Sequence, residues 1–231
     1  MNEECIIFGD VHLNWKAVVL ILDYARKNCI ETVLTLGDEA HKKYPYLTGE
    51  QEDYDRIWHE FRVYKKENPN RKLILTVGDK TAGVAKDMFK YFIGVDAKTG
   101  KITGSTIYKE DNVIVGHDGQ SIMDKYGPLI DQYDGLEPLV IFHGHSHSMG
   151  VLPEYKWLND DEFVGWLKNG EEHHILKPGM VYWVNPGGQF LKTDDNKMAA
   201  NFAKYNPKNH SVTLETIFYK EEEIHPSPLI K

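Results

Sequence analysis

Five apolar runs in this sequence stop at a glycine that an aspartate or histidine then follows. They are Cys5–Phe8 before Gly9-Asp10-Val11-His12, Thr32–Leu36 before Gly37-Asp38, and Leu73–Val77 before Gly78-Asp79-Lys80. The last two are Val113–Val115 before Gly116-His117 and Leu139–Phe142 before His143-Gly144-His145-Ser146-His147. One such ending is ordinary turn chemistry. Five of them predict buried strands, at 5–9, about 32–36, 72–77, 113–116 and 139–143, whose carboxyl ends turn sharply, because glycine permits the turn and the close approach of backbones. The residue after each glycine then points into a crevice instead of the core. Between the runs the apolar period changes to that of a helix. Asn14 is placed to cap a helix with Val18, Ile21, Leu22, Ala25 and Cys29 on one face. Further helices are expected near 51–67, ending before Pro69, at about 81–92, and around 121–133. Strands alternating with helices imply a sheet covered by helices on both faces, with ligands at the carboxyl edge.

The rest of the chain is read more coarsely. Residues 94–112 read as a hairpin or exposed turn, and a strand near 180–184 leads into Asn185-Pro186-Gly187-Gly188. Two alternating strands, about 198–205 and 211–219, close the pattern. The stretch 151–179 mixes Trp157, Phe163 and Trp166 with acids and glycines, and is expected to be an insertion or lid on a single domain spanning 1–231. No apolar run nears the roughly 20 residues of a membrane helix. The start, two acids followed by a strand, carries no secretory or transit signal, and two cysteines, Cys5 and Cys29, fit reduced thiols in a cytoplasmic protein. The formal net charge is −8, with no basic block longer than Lys-Lys. That argues against a grip on long nucleic acid, but leaves small phosphate substrates open, since bound cations dominate the local field.

The five endings bring together three carboxylates (Asp10, Asp38, Asp79) and four imidazoles (His12, His117, His145, His147). Carboxylates gathered in a crevice repel one another and lose hydration, and divalent cations remove both costs. A donor set of oxygen and nitrogen without thiolate suits Mn, Fe, Zn or Ni. Seven donors are too many for one ion and suit two that share a carboxylate. His41 is a candidate to approach substrate, and Asp118 and Asn185 are candidates to orient ligands or substrate. His143 is expected to face into the sheet, and His173 and His174 to lie on the surface.

In this order the five blocks resemble the calcineurin-like metallophosphoesterase superfamily, with Asn185-Pro186-Gly187 similar to the segment that commonly follows them. The resemblance implies an αββα sandwich of mixed sheets flanked by helices. It also implies two divalent ions, manganese foremost, and a hydroxide between them that attacks phosphorus. Asp10, His12 and His147 would hold one ion, Asp79, His117 and His145 the other, and Asp38 would bridge them. Catalytic roles fall to Asp38, Asp79, Lys80 and His117. Three departures narrow the branch. Leu13 replaces a usual glycine, no arginine follows Asp38 closely, and Gly78-Asp79-Lys80 stands where Gly-Asn-His is common. The missing histidine ordinarily assists the leaving group, so diester, nucleotide or activated aryl phosphates are favoured over phosphoproteins. Lys80 either offsets the added charge of Asp79 and donates to phosphate, or begins a helix and faces solvent. The alternatives to a phosphodiesterase are a phosphomonoesterase or nuclease with the same chemistry, and a metal-binding or degenerate scaffold acting as a protein-interaction module. Oligomeric state is not legible.

Overall fold

The computed structural model describes residues 3–38, 50–78, 86–153, 167–189, 192–193 and 195–228. In chain order the elements are β1 (Cys5–Phe8), α1 (Trp15–Lys27), β2 (Thr32–Thr35), α2 (Glu50–Glu67), β3 (Lys72–Leu75), β4 (Tyr108–Glu110) and β5 (Val113–Val115). Then come α3 (Gly119–Asp131), β6 (Leu139–Phe142), β7 (Met149–Leu152), β8 (Glu171–Ile175), β9 (Val181–Pro186), β10 (Met198–Asn206) and β11 (Ser211–Tyr219). Two mixed sheets form, one ordered β3-β2-β1-β10-β11-β8 and the other β4-β5-β6-β9-β7. In the first, β1, β2 and β3 run parallel and β10, β11 and β8 add antiparallel. In the second, β5, β6 and β9 run parallel, with β4 and β7 antiparallel at the two edges.

The two-residue period of each strand sorts its side chains into three core layers. Ile6, Phe8, Val33, Leu73 and Leu75 pack with α1 and α2. Their neighbours Cys5, Ile7, Leu34 and Ile74 point the other way, against Val113, Val115, Val140 and Phe142 of the second sheet. On the far side Ile114, Leu139 and Ile141 meet Ile122 and Ile130 of α3. The order is helix, sheet, sheet, helix, the expected αββα sandwich. Asn14 caps α1 as its sequence position predicts, its Oδ1 accepting from the Ala17 N–H at 3.2 Å.

Two segments differ from expectation. Of the helix predicted at about 81–92, residues 81–85 lie outside the described residues and Lys86–Tyr91 is a 3₁₀ turn. It ends where Phe92 bridges Leu75 and the Ile93 N–H donates to Leu75 O at 2.9 Å, drawing the chain back to the sheet. The segment read as an insertion contributes strands to both sheets. Val151 and Leu152 belong to β7 beside β9, and β8 lies along β11. Trp157, Phe163 and Trp166, on which a lid would rest, fall outside the described residues. Residues 94–112 form the expected turn, with Val95 bridged to Ile102, and β4 follows it. None of the described helices is long and apolar enough to cross a membrane.

Candidate metal centre

Both sheets aim the carboxyl ends of their parallel strands at one edge of the sandwich. Asp10, His12 and Asp38 follow β1 and β2 of the first sheet, and His117, His145 and His147 follow β5 and β6 of the second. The loops continue the strand pairing. Asp10 N–H donates to Gly37 O at 3.1 Å and His12 N–H to Asp38 O at 2.9 Å, while Gly144 N–H donates to His117 O at 2.9 Å. Across the sheets, the His145 N–H reaches both Asp10 carboxylate oxygens, at 3.1 and 3.0 Å.

The backbone here is held in a costly conformation. Asp10, His12, Asp38, His145 and His147 all have φ between 47° and 68°, the left-handed region. Asp and His enter this region more readily than most residues, and such positions cluster where function fixes a side chain. The glycines beside them provide space. A Cβ on Gly144 would lie 2.7 Å from Asp10 Oδ2, and one on Gly78 would lie 2.3 Å from Asp38 Oδ1.

Six donors fall into two clusters, Asp10 with His12 and His147, and Asp38 with His117 and His145, the ligand atoms of each lying within 4.8 Å of one another. His12 Nε2 stands 3.0 Å from His147 Nε2, with their rings edge-on at 86°. His117 Nε2 stands 3.2 Å from His145 Nδ1 and 3.3 Å from Asp38 Oδ2. His117 Nδ1 donates to Leu36 O at 2.8 Å, which turns Nε2 toward Asp38 and His145. A backbone carbonyl holding the second nitrogen is the usual support of a metal-ligating histidine.

Electrostatics agree with this geometry. Burial pushes the Asp10 carboxyl up to about 7; the nearby Asp38 carboxylate adds to that rise, while His117 and the His145 N–H oppose it. Burial works against a charged His117, but the Asp38 and Asp10 carboxylates outweigh it and raise the ring to about 9. Two buried carboxyls, Asp10 and Asp38, therefore face one imidazole, His117, at 3.9 and 3.3 Å. Divalent ions would satisfy both acids and displace protons from the cluster, so the residues fit such ions. Asp10, His12, Asp38 and His117 are buried, whereas His145 and His147 are half-buried, so the crevice opens past these two rings.

The remaining candidates divide. Asp79, Lys80 and His41 lie outside the described residues. Asp118 caps α3, its carboxylate accepting from Gln120 N–H at 3.0 Å, Ser121 N–H at 3.1 Å and Ser121 Oγ at 2.8 Å. Besides capping the helix, the carboxylate lies within electrostatic reach of His145, the ring it would help to orient. Asn185 is buried and ties loops together. Its Nδ2 donates to Ser146 Oγ at 2.9 Å, and its Oδ1 accepts from Gly187 N–H. His143 packs edge-on against Trp183 inside the fold, as expected, and burial holds its ring down at about 4. His173 is exposed, and the half-buried His174 pairs with Glu172.

Sequence reasoning missed a buried amide network beneath the first cluster. Gln189 N–H donates to Asp10 O at 3.1 Å, and Gln189 Nε2 donates to Asn201 O at 2.6 Å and Gly9 O at 3.3 Å. Asn201 returns a backbone N–H to Gln189 Oε1 at 2.7 Å, and its Nδ2 holds Gly188 O, while Gly188 N–H reaches His147 O at 3.3 Å. Asn14, besides capping α1, donates to Gln189 O and accepts from Tyr219 OH. The only signal in the sequence was the run Asn185-Pro186-Gly187-Gly188-Gln189, a turn that ends in an amide.

No protein-family model matches the chain, and no curated protein matches it. Solved structures similar to it include a predicted phosphoesterase from Streptococcus pneumoniae, at 11% identity over 98% of this chain and 93% of that one, with a TM-score of 0.39. An archaeal phosphodiesterase is similar at 13% identity over 94% and 99%, TM-score 0.41. A phosphoesterase from E. coli is similar at 12% identity over 87% of each chain, TM-score 0.45. At such identities and scores the likeness carries no argument about chemistry, which rests on the residues themselves.

Proposed function

We propose that the chain is a metal-dependent phosphoesterase of the calcineurin-like type, acting on small phosphodiesters or nucleotide-type esters. One observation carries the reading: two donor clusters, Asp10/His12/His147 and Asp38/His117/His145, meet from two different sheets at a half-open edge. Asp38 stands beside His117, and Asp79, one residue past Gly78, is the remaining donor that the sequence supplies for two ions. Two divalent ions held here would supply the attacking group's activation and neutralise charge on the phosphate oxygens. Oxygen and nitrogen donors without thiolate favour manganese, with iron, zinc or nickel as alternatives.

The protein's own contribution is placement. His145 and His147 line the open side, where a phosphate ester enters. The Leu36 carbonyl fixes the His117 tautomer, and the His145 backbone N–H fixes the Asp10 carboxylate. Lys80 stands in the sequence where a leaving-group histidine is common, so esters with good leaving groups suit this site best. Among the described residues neither cysteine forms a disulfide, Cys5 being buried and Cys29 exposed, in keeping with a cytoplasmic protein. The expected result is hydrolysis of an aryl phosphodiester that a strong chelator abolishes and Mn²⁺ restores. Undiminished turnover in the chelated protein would overturn the reading.

A further inference from the structure

Away from the metal centre, the open cleft between α2 and the 3₁₀ turn Lys86–Tyr91 has a volume of about 780 Å³. Four cations line it, Arg62, Lys65, Lys66 and Lys90, against one acid, Asp87. That balance runs opposite to the net charge of −8 on the whole chain. Arg62 consumes the acid, its Nε and Nη2 donating to the two Asp87 oxygens at 2.6 and 2.8 Å. Three ammonium groups remain.

Lys65 is anchored by the carbonyls of Pro69, at 2.9 Å, and Arg71. Its ammonium lies 5.8 Å from the centre of the Tyr91 ring, and the Lys90 ammonium lies 5.0 Å from the same centre. The two charges are close enough to repel: burial first, then Lys90, pulls the Lys65 pKa below its ordinary value. Among the described residues, Lys66 makes no ion pair, and Lys90 has only a longer-range attraction to the Asp87 that Arg62 already holds. A cleft of one sign concentrates counter-ions, and a multiply charged anion satisfies several ammonium groups at once. Compact, strongly hydrated ammonium charges suit phosphate oxygens.

We propose that this cleft is a binding site for a small polyphosphate-bearing anion, distinct from the metal centre. None of the residues lining it is a donor of either cluster.

The test uses the metal-free full-length chain and inorganic tripolyphosphate, titrated by calorimetry at low and at raised ionic strength, with a parallel arm using ATP. The expected result is saturable binding, about one per chain, that weakens with salt. The double variant Lys66→Glu/Lys90→Glu should weaken it at least tenfold. Asp38→Asn and a control pair of exposed lysines elsewhere, Lys109→Glu/Lys125→Glu, should leave it unchanged. ATP binding with the same sensitivity would make the occupant a nucleotide, and tripolyphosphate binding alone would make it a free polyphosphate. Three results would overturn the proposal: no saturable binding, an equal loss in the control pair, or a loss confined to Asp38→Asn. Thermal melting of the variants, all changed at exposed lysines except Asp38→Asn, separates lost binding from lost folding.

Discussion

Asp38→Asn should keep its fold and lose most of its metal and hydrolytic activity. The residue is 3% exposed, and its Oδ2 stands 3.3 Å from His117 Nε2 in the second cluster. An amide of the same shape fills the same space, so the packing of β2 against its neighbours is preserved. What disappears is a negative charge and one of the carboxylates that draw divalent ions to the site. Loss of a supporting partner around a metal already costs about 10–100-fold in affinity or activity. Loss of a ligand should cost at least the upper end of that range. Asp118→Asn is the matched control. Asp118 caps α3, and Asn caps a helix as well as Asp, so activity should change little. Elemental analysis and aryl diester kinetics on the two variants check this. Equal metal content and equal rates would remove Asp38 from the site.

Gly144→Ala should be nearly as damaging, for a steric reason alone. Gly144 does not have a left-handed φ, so alanine is compatible with its backbone. The added Cβ, however, would stand 2.7 Å from Asp10 Oδ2 and 3.3 Å from its Cγ. Something must shift, and Asp10 is pinned on its other sides by β1 and by the His145 N–H. Movement of a reacting group by about 1 Å costs on the order of 10²-fold in rate. Overpacking of this kind also costs about 1–3 kcal/mol of stability. A rate close to that of the unmodified protein, measured with saturating Mn²⁺, would show that the carboxylate has room that the structure does not give it. Gly150→Ala is a useful comparison, because a Cβ there meets nothing within 4 Å.

Much of this architecture was legible in the sequence because it rests on strong local signals. The buried strands β1, β2, β3, β5 and β6 carry side chains apolar on both faces and stop at glycines, so their ends could be placed to within a residue or two. The six donors that the structure brings together are the ones those endings point to. Strand β8 was hidden for the opposite reason. Glu171-Glu172-His173-His174-Ile175 is an exposed edge strand, and neither face carries an apolar pattern to read. The network of Gln189, Asn201 and Asn14 was hidden because a buried amide looks like a solvated one until its partners, up to 180 residues away in the chain, are known. Tyr219 to Asn14 spans 205 positions, farther still. The left-handed backbone at five donors was not legible either. Asp and His tolerate that conformation, but nothing in their sequence announces it. Within the expected helix at 81–92, Lys86–Tyr91 is a 3₁₀ turn because the sheet reclaims the chain at Phe92 and Ile93.

Two divalent ions are proposed to sit between the sheets, one in each donor cluster. Metal content per chain, measured by elemental analysis after chelation and reconstitution with Mn²⁺, tests it most directly. About two ions per chain are expected in the unmodified protein. About one is expected in His147→Ala, which removes a donor of the first cluster, and about one in His145→Ala, which removes a donor of the second. A single ion in the unmodified protein, or two retained in both variants, would contradict it.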